Sequence, residues 1–244
     1  NEAKPLAEQM LKLYRDVGAK KWAKVEPEKE LTSGQPRSVD VALFGRMTTS
    51  AAFENVQAAT QVAHALSTHV VAQDSDYYTA VDDLSGESGA GMIGDVEFNS
   101  STYYKYYSIH WETLVANLGG DAEIARRTVL AFLEAAALAQ PSGKQNSFAA
   151  HNLPDLILVE ARENNLPVNL ANAFLKPARG SLEKTVLQDS VEKLNYHLQQ
   201  LSKMYGLEGR RAYVGLEDSY VMTDIERKPN LAAMKTWLEQ VLPN

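Results

Sequence analysis

The chain contains no cysteine. That excludes disulfides, thiolate metal sites and cysteine nucleophiles, and it suits a cytoplasmic protein. It also lacks an apolar run near the ~18 residues that a membrane-crossing helix requires. The opening residues, NEAKPLAEQM, are charged and hold no apolar signal segment. They include no initiator Met at position 1, so the sequence reads as a fragment or a processed product. No GxxxxGK(S/T) phosphate loop and no GxSxG nucleophile elbow occur. The five histidines, His64, His69, His110, His151 and His197, show no HxH or HExxH spacing, so zinc is weakly supported. GESGAG resembles a phosphate loop only superficially, because no Lys-Ser/Thr follows and it opens no helix. Positive charge is also short. A net charge of −7 lowers the expectation of a nucleic-acid partner, although phosphate contacts need only local positive charge.

What is present supports a folded protein. Hydrophobic residues make up 45% of the 244, enough for a real core. Ala3 to about Val25 predicts an amphipathic helix, with Leu6, Met10, Leu13, Tyr14 and Val17 on one face. Lys20, Lys21 and Lys24 read as a solvated helix end. Glu26 to Arg37 is polar, with two prolines and a glycine, and predicts a loop. Val39 to Phe44 reads as a core strand stopped by Gly45, and Val56 to Leu66 as a helix. His69 to Val81 and Tyr103 to Tyr107 favour strand, joined across the flexible tip SGESGAGMIGD. The chain organises itself around this stretch, Val39 to Tyr107.

Further on, His110 to Leu118 predicts a short helix ended by Gly119-Gly120. Asp121 then caps a helix to about Gln140, apolar on nearly all sides and expected to be buried against a sheet. Ser147 to Asn152 and Asp155 to Ala161 read as strands, with LILVEA central. Pro167 to Phe174 alternates loosely. Ser181 to Met204 predicts a long helix capped by Ser181 and ended by Gly206. Tyr213 to Leu216 reads as a short edge strand, and Leu231 to Leu242 as a terminal amphipathic helix. Interleaved helices and strands point to an α+β fold.

Three readings of function compete. Asp74, Asp76, Asp82 and Asp83 could hold Mg2+ for a nuclease, but they sit on one local segment flanked by glycine, and metal sites demand fixed geometry. Arg46 can fork onto phosphate and Met47 can press on a base. Alone, they read as a loop Arg and a core Met. Tyr77, Tyr78, Thr79 and Val81 tilt the balance. They place aromatic and β-branched groups on an arm with no local core, and such wedges split base stacks in single-stranded nucleic acid. Lys144-Gln145 adds a basic loop, though alone Lys144 is a surface lysine. The third reading is an assembly protein that contacts only protein.

LFGRM, AHALSTH and DSDYYTAVDDL, followed by GKQNSFAAHNLPDLILV and PVNLANAF in that order, resemble the CasC family. That family is the repeated backbone subunit of the type I-E CRISPR surveillance complex, Cascade. The likeness covers most of the chain from about Val39 onward. It implies a modified RNA-recognition-motif (ferredoxin-like) palm with a helical insertion and a protruding β-hairpin thumb, here about Val71 to Ser101. It implies one palm-type domain over 1–244, with residues 1–37 as a helical segment and loop. Copies would polymerise along the spacer of a guide CRISPR RNA. Tyr78, Thr79 and Val81 match the thumb's wedge, Met47 the opposing palm residue, and Arg46, Thr48, Lys144 and Gln145 the backbone-contacting positions. The implied partners are the guide, further copies of the chain, other Cascade subunits, and target DNA through guide pairing, with no membrane. No catalysis, metal or cofactor is implied. The family's N-terminal palm strand and basic segment are not found here, so the chain looks like the family's later portion. That would leave a sheet position to be covered by dimerisation or left sticky.

Overall fold

The computed structural model of the protein describes residues 3–22, 24–25, 38–49, 55–80, 84, 92–164 and 166–243. The expected loop at Glu26 to Arg37, the Val81-Asp82-Asp83 segment and most of the glycine-rich tip lie outside them. Among the described residues, no helix is long and apolar enough to cross a membrane.

The core forms two clusters on opposite faces of one small sheet. Strand β7, Leu156–Ala161, pairs antiparallel with β8, Arg210–Gly215, and β8 pairs parallel with β9, Glu226–Arg227. Side chains alternate along a strand. Val159 therefore joins Ala42, Leu43, Leu114, Ala125, Val129 and Leu238 on one face. Leu156, Leu158 and Tyr213 join Leu170, Val191, Leu194, Leu198 and Met222 on the other. Burial on both sides explains the unbroken apolar LILV. The strand order corrects two expectations. LILVEA lies at the edge, and the strand containing Tyr213 is the central one.

Besides the helix that carries Ala42 and Leu43, three longer helices cover the first face. Trp111–Asn117 is capped by His110, whose Nδ1 accepts from the Thr113 amide at 3.1 Å. Ala122–Leu138 is capped by Asp121, which accepts from the Ile124 amide at 2.9 Å. Leu231–Val241 is capped by Asn230. The helix from Ala122 is not buried all round. Only one stripe is enclosed, through Ala125, Thr128, Val129 and Ala137, because it packs on neighbouring helices while Ile124 and Leu138 face solvent. The second face is covered by the 20-residue helix Val186–Tyr205. Its cap is Thr185, not Ser181. Thr185 Oγ1 accepts from the Gln188 amide, and the Gln188 side chain accepts from the Thr185 amide, a reciprocal pair that satisfies two free donors. Ser181 instead accepts from the amides of Glu183 and Lys184 in the preceding turn. Gly206, at φ 60°, ends the helix. The segment 167–174 closes in a single 3-10 turn, Ala171–Phe174.

Toward the N-terminus the helix expected to reach Val25 divides at Gly18 into α1, Ala3–Val17, and α2, Ala19–Trp22. Two further expectations reverse. Val39–Phe44 is a helix, α3, with Ala42 and Leu43 buried; a short apolar run does not by itself distinguish a strand from a buried helical turn. The stretch 56–66 is extended, not helical: Thr60–Val62 is strand β1 and Leu66–Ser67 is β2. Its apparent helical stripe fails because burial stops after Thr60, leaving Leu66 exposed. His64 accordingly sits on extended chain. The strand expected at Ser147 to Asn152 is one helical turn, Gln145–Phe148, followed by irregular chain.

Candidate functional site

The extended stretch 56–80 runs antiparallel to 92–109 through successive ladders. Strand β1 pairs with β6, Tyr107–Ile109, and β2 pairs with β5, Tyr103–Tyr104. Strand β3, Asp74–Ala80, pairs with β4, Met92–Phe98, over seven residue pairs. The register slips by one residue between the first two ladders and by two before the third. Such slips bend and twist a ribbon.

The ribbon is rooted at Thr68, which is 3% exposed. The Thr68 amide donates to Thr102 O, Thr68 O accepts from the Ala178 amide, and its hydroxyl lies 2.8 Å from that of Ser190. Beside it, His69 Nε2 accepts from the Thr102 amide at 3.1 Å, and its Nδ1 lies 2.8 Å from Val70 O. Past this root the ribbon leaves the body, and all seven β3 residues are exposed.

Facing pairs point to the same side of an antiparallel ribbon. One face carries Ser75 with Glu97, Tyr77 with Asp95, and Thr79 with Ile93; the other carries Asp74 with Phe98, Asp76 with Val96, Tyr78 with Gly94, and Ala80 with Met92. Tyr78 and Thr79, named together as a wedge, therefore point to opposite sides. The Tyr78 ring lies over Gly94, where an added Cβ would stand 2.7 Å from the ring. Tyr77, 68% exposed, and Ile93, 62% exposed, form the more open apolar pair. Ile93 had no signal in the sequence, because only the register puts it beside Thr79. Val81 lies outside the described residues. From Asp74 to Phe98 the sequence has seven Asp or Glu and no Lys or Arg. This arm carries aromatic faces that can stack on bases but no cation to pair with phosphate.

Arg46, Met47 and Thr48 follow α3. Gly45 adopts φ 78°, and the Arg46 amide donates to Val56 O at 2.9 Å while Val56 N donates back at 2.8 Å. The Thr48 amide donates to Asn55 Oδ1 at 2.7 Å. This turn projects Met47, 94% exposed, so the core reading of that residue is wrong. Lys144 and Gln145 lie at the foot of the ribbon. Lys144 Nζ reaches Glu97 O at 3.4 Å, and Gln145 Nε2 donates to Pro141 O at 2.8 Å. The structure thus brings Lys144 to the arm, while hydrogen bonds of their backbone amides tie Arg46 to Val56 and Thr48 to Asn55.

Asp74 and Asp76 face Phe98 and Val96, and Asp82 and Asp83 lie outside the described residues. Among the described residues, no group of three or more His, Asp or Glu side chains could hold a metal ion. Burial pushes the Tyr104 phenol up to about 12, although its oxygen accepts from the Leu170 amide at 3.0 Å. Its hydroxyl thereby ties strand β5 to the segment before the 3-10 turn.

The fold is a mixed α and β body with small sheets, from which one aromatic ribbon projects. The chain belongs to the CT1975-like protein family, whose profile it matches over residues 1–240. Solved chains resemble it as well. One, described as "CRISPR RNA-guided surveillance complex, pre-nicking", superposes with a TM-score of 0.72 at 32% identity, over 84% of this chain and 56% of that one. Another, described as "CRISPR RNA-guided surveillance complex", gives 0.71 and 32% over 84% of this chain and 78% of its own. The chain therefore spans little more than half of the first. No curated protein sequence matches it.

Proposed function

We propose that the chain is a non-catalytic, cytoplasmic subunit of a type I-E CRISPR surveillance complex, and that it binds guide RNA through the projecting ribbon. The body serves as the palm of a modified RNA-recognition motif and the ribbon as its thumb. Copies line the guide as a filament beside other subunits, and the guide reads target DNA by pairing. The observation that carries this reading is an arm exposed along its whole β3 strand, with tyrosines and no basic residue, on a chain of this family. A soluble acidic arm gains nothing from exposing Tyr77 and Ile93 unless a partner covers them. An unstacked base is a partner that needs no positive charge. The backbone contacts then fall to Arg46, Thr48 and Lys144 on the body.

The test is co-expression of the full-length protein with its guide and the other subunits. The expected result is RNA of uniform length that co-purifies with the wild type. A Tyr77→Ala, Ile93→Ala pair should weaken retention by about tenfold or more, since base stacking contributes about 1–3 kcal/mol per base, with the melting temperature unchanged. Equal retention by the pair would contradict the assignment of the arm.

A further inference from the structure

A two-stranded ribbon has little stability of its own, and here every residue of β3, Asp74–Ala80, is exposed. Something must hold it at a defined angle to the body. The loop 140–152 is placed to do so. It is tied to itself: Gln140 Nε2 donates to Asn152 O at 2.7 Å, and Gln145 Nε2 donates to Pro141 O at 2.8 Å and Ala150 O at 3.4 Å. Its single helical turn is bracketed by Lys144 at φ 56° and Ala149 at φ 49°. Non-glycine residues seldom enter this left-handed region, and when they do the surroundings hold them there. Two of the three described non-glycine residues with positive φ are thus spent on one turn.

That turn delivers one side chain to the ribbon. The Phe148 ring lies 5.5 Å from the Phe98 ring at 45°. Phe98 is the last residue of β4 and faces Asp74, at the point where the ribbon leaves the body. Lys144 Nζ meets Glu97 O one residue farther out. We propose that Phe148 is a positioning residue: the strained turn holds its ring against Phe98 and so fixes the direction of the arm. Phe148 itself, half exposed and on the loop, need not touch RNA. The inference rests on the reading of the ribbon as the guide-facing arm, but its first test does not involve RNA.

The experiment is hydrogen–deuterium exchange on the full chain without RNA, comparing wild type, Phe148→Ala and Phe148→Tyr. Phe148→Ala is expected to speed exchange in 74–80 and 92–98 by about three- to tenfold, the factor an aromatic pair supplies. Strand 156–161 and helix 186–205 should keep their protection. Phe148→Tyr, which retains the ring, should restore the ribbon. Unchanged ribbon exchange in Phe148→Ala would overturn the proposal. So would a rise shared by ribbon and body, which would make Phe148 an ordinary packing residue. A second arm measures guide retention. If exchange responds as expected but neither Phe148→Ala nor the Tyr77/Ile93 pair affects retention, the positioning stands and the guide reading falls.

Discussion

Gly45 tests whether the body and the Met47 turn are built as described. Its φ of 78° with ψ 176° lies in a region that only glycine enters readily. An added Cβ would stand 2.7 Å from Val56 O and 2.9 Å from Ala58 N, and both are backbone atoms that cannot swing away. Two costs therefore add in Gly45→Ala. The backbone region alone contributes about 1–3 kcal/mol, and the clash must open the Arg46–Val56 bridge. Two other glycines separate these terms. Gly119 has φ 73° but open space around its Cβ, so Gly119→Ala reports the dihedral cost without a clash. Gly143 has neither a positive φ nor a neighbour within 4 Å, so Gly143→Ala should stay within about 0.5 kcal/mol of wild type. The assay is urea unfolding, with thermal melting as a second reading. At 2–4 °C per kcal/mol for a domain of this size, Gly45→Ala should lower the midpoint by roughly 4–12 °C. The predicted order of damage is Gly45, then Gly119, then Gly143. If Gly45→Ala were as mild as Gly119→Ala, the close approach to Val56 would not be real and the placement of Arg46 and Met47 would fall with it.

Two further outcomes follow from the structure. Asn117, 8% exposed, donates from Nδ2 to Ala42 O at 3.0 Å and to Gln57 O at 2.9 Å, tying α3 to the extended segment. Asn117→Ala should cost about 1–3 kcal/mol in urea unfolding by leaving buried carbonyls unpaired, and Asn117→Asp should cost more, because it removes the donors and adds a charge. Tyr104, raised to about 12 by burial, sets an alkaline limit. Below pH 10 the phenol is neutral in both states. Between 10 and about 12 the unfolded chain loses the proton while the folded chain keeps it, so stability falls across that window. Tyr104→Phe should flatten the fall in an alkaline melting series.

What the sequence revealed, and what it hid, has a physical pattern. Caps and stops were legible at Asp121, Gly119-Gly120 and Gly206, because a single side chain or a positive φ decides them. The outgoing strand of the ribbon was legible because Tyr77, Tyr78 and Thr79 favour strand, but the return strand was not: Met92 to Asp95 read as part of the flexible tip and instead belong to β4, Met92–Phe98, paired along β3. Val39–Phe44 was not, since six apolar residues fit a buried turn as well as a strand and only packing of Ala42 and Leu43 decides. The apparent helix at 56–66 was undone by pairing to residues 38 to 49 positions away, which no local window contains. The site divides in the same way. Tyr77, Tyr78 and Thr79 stood out by type, whereas Ile93, Phe98 and Phe148 matter only through register and contact. Met47 looked like core by composition and is 94% exposed because Gly45 turns the chain outward.

The claim at the centre is that the outer ribbon meets bases of a guide RNA. Photo-cross-linking of guide RNA carrying photoreactive bases to the assembled full-length protein, with adducts mapped by mass spectrometry, tests it directly. The account predicts adducts on the ribbon at Tyr77, Thr79 and Ile93, together with Met47. Adducts confined to residues outside 74–98 and 46–48, with the ribbon unlabelled, would contradict it.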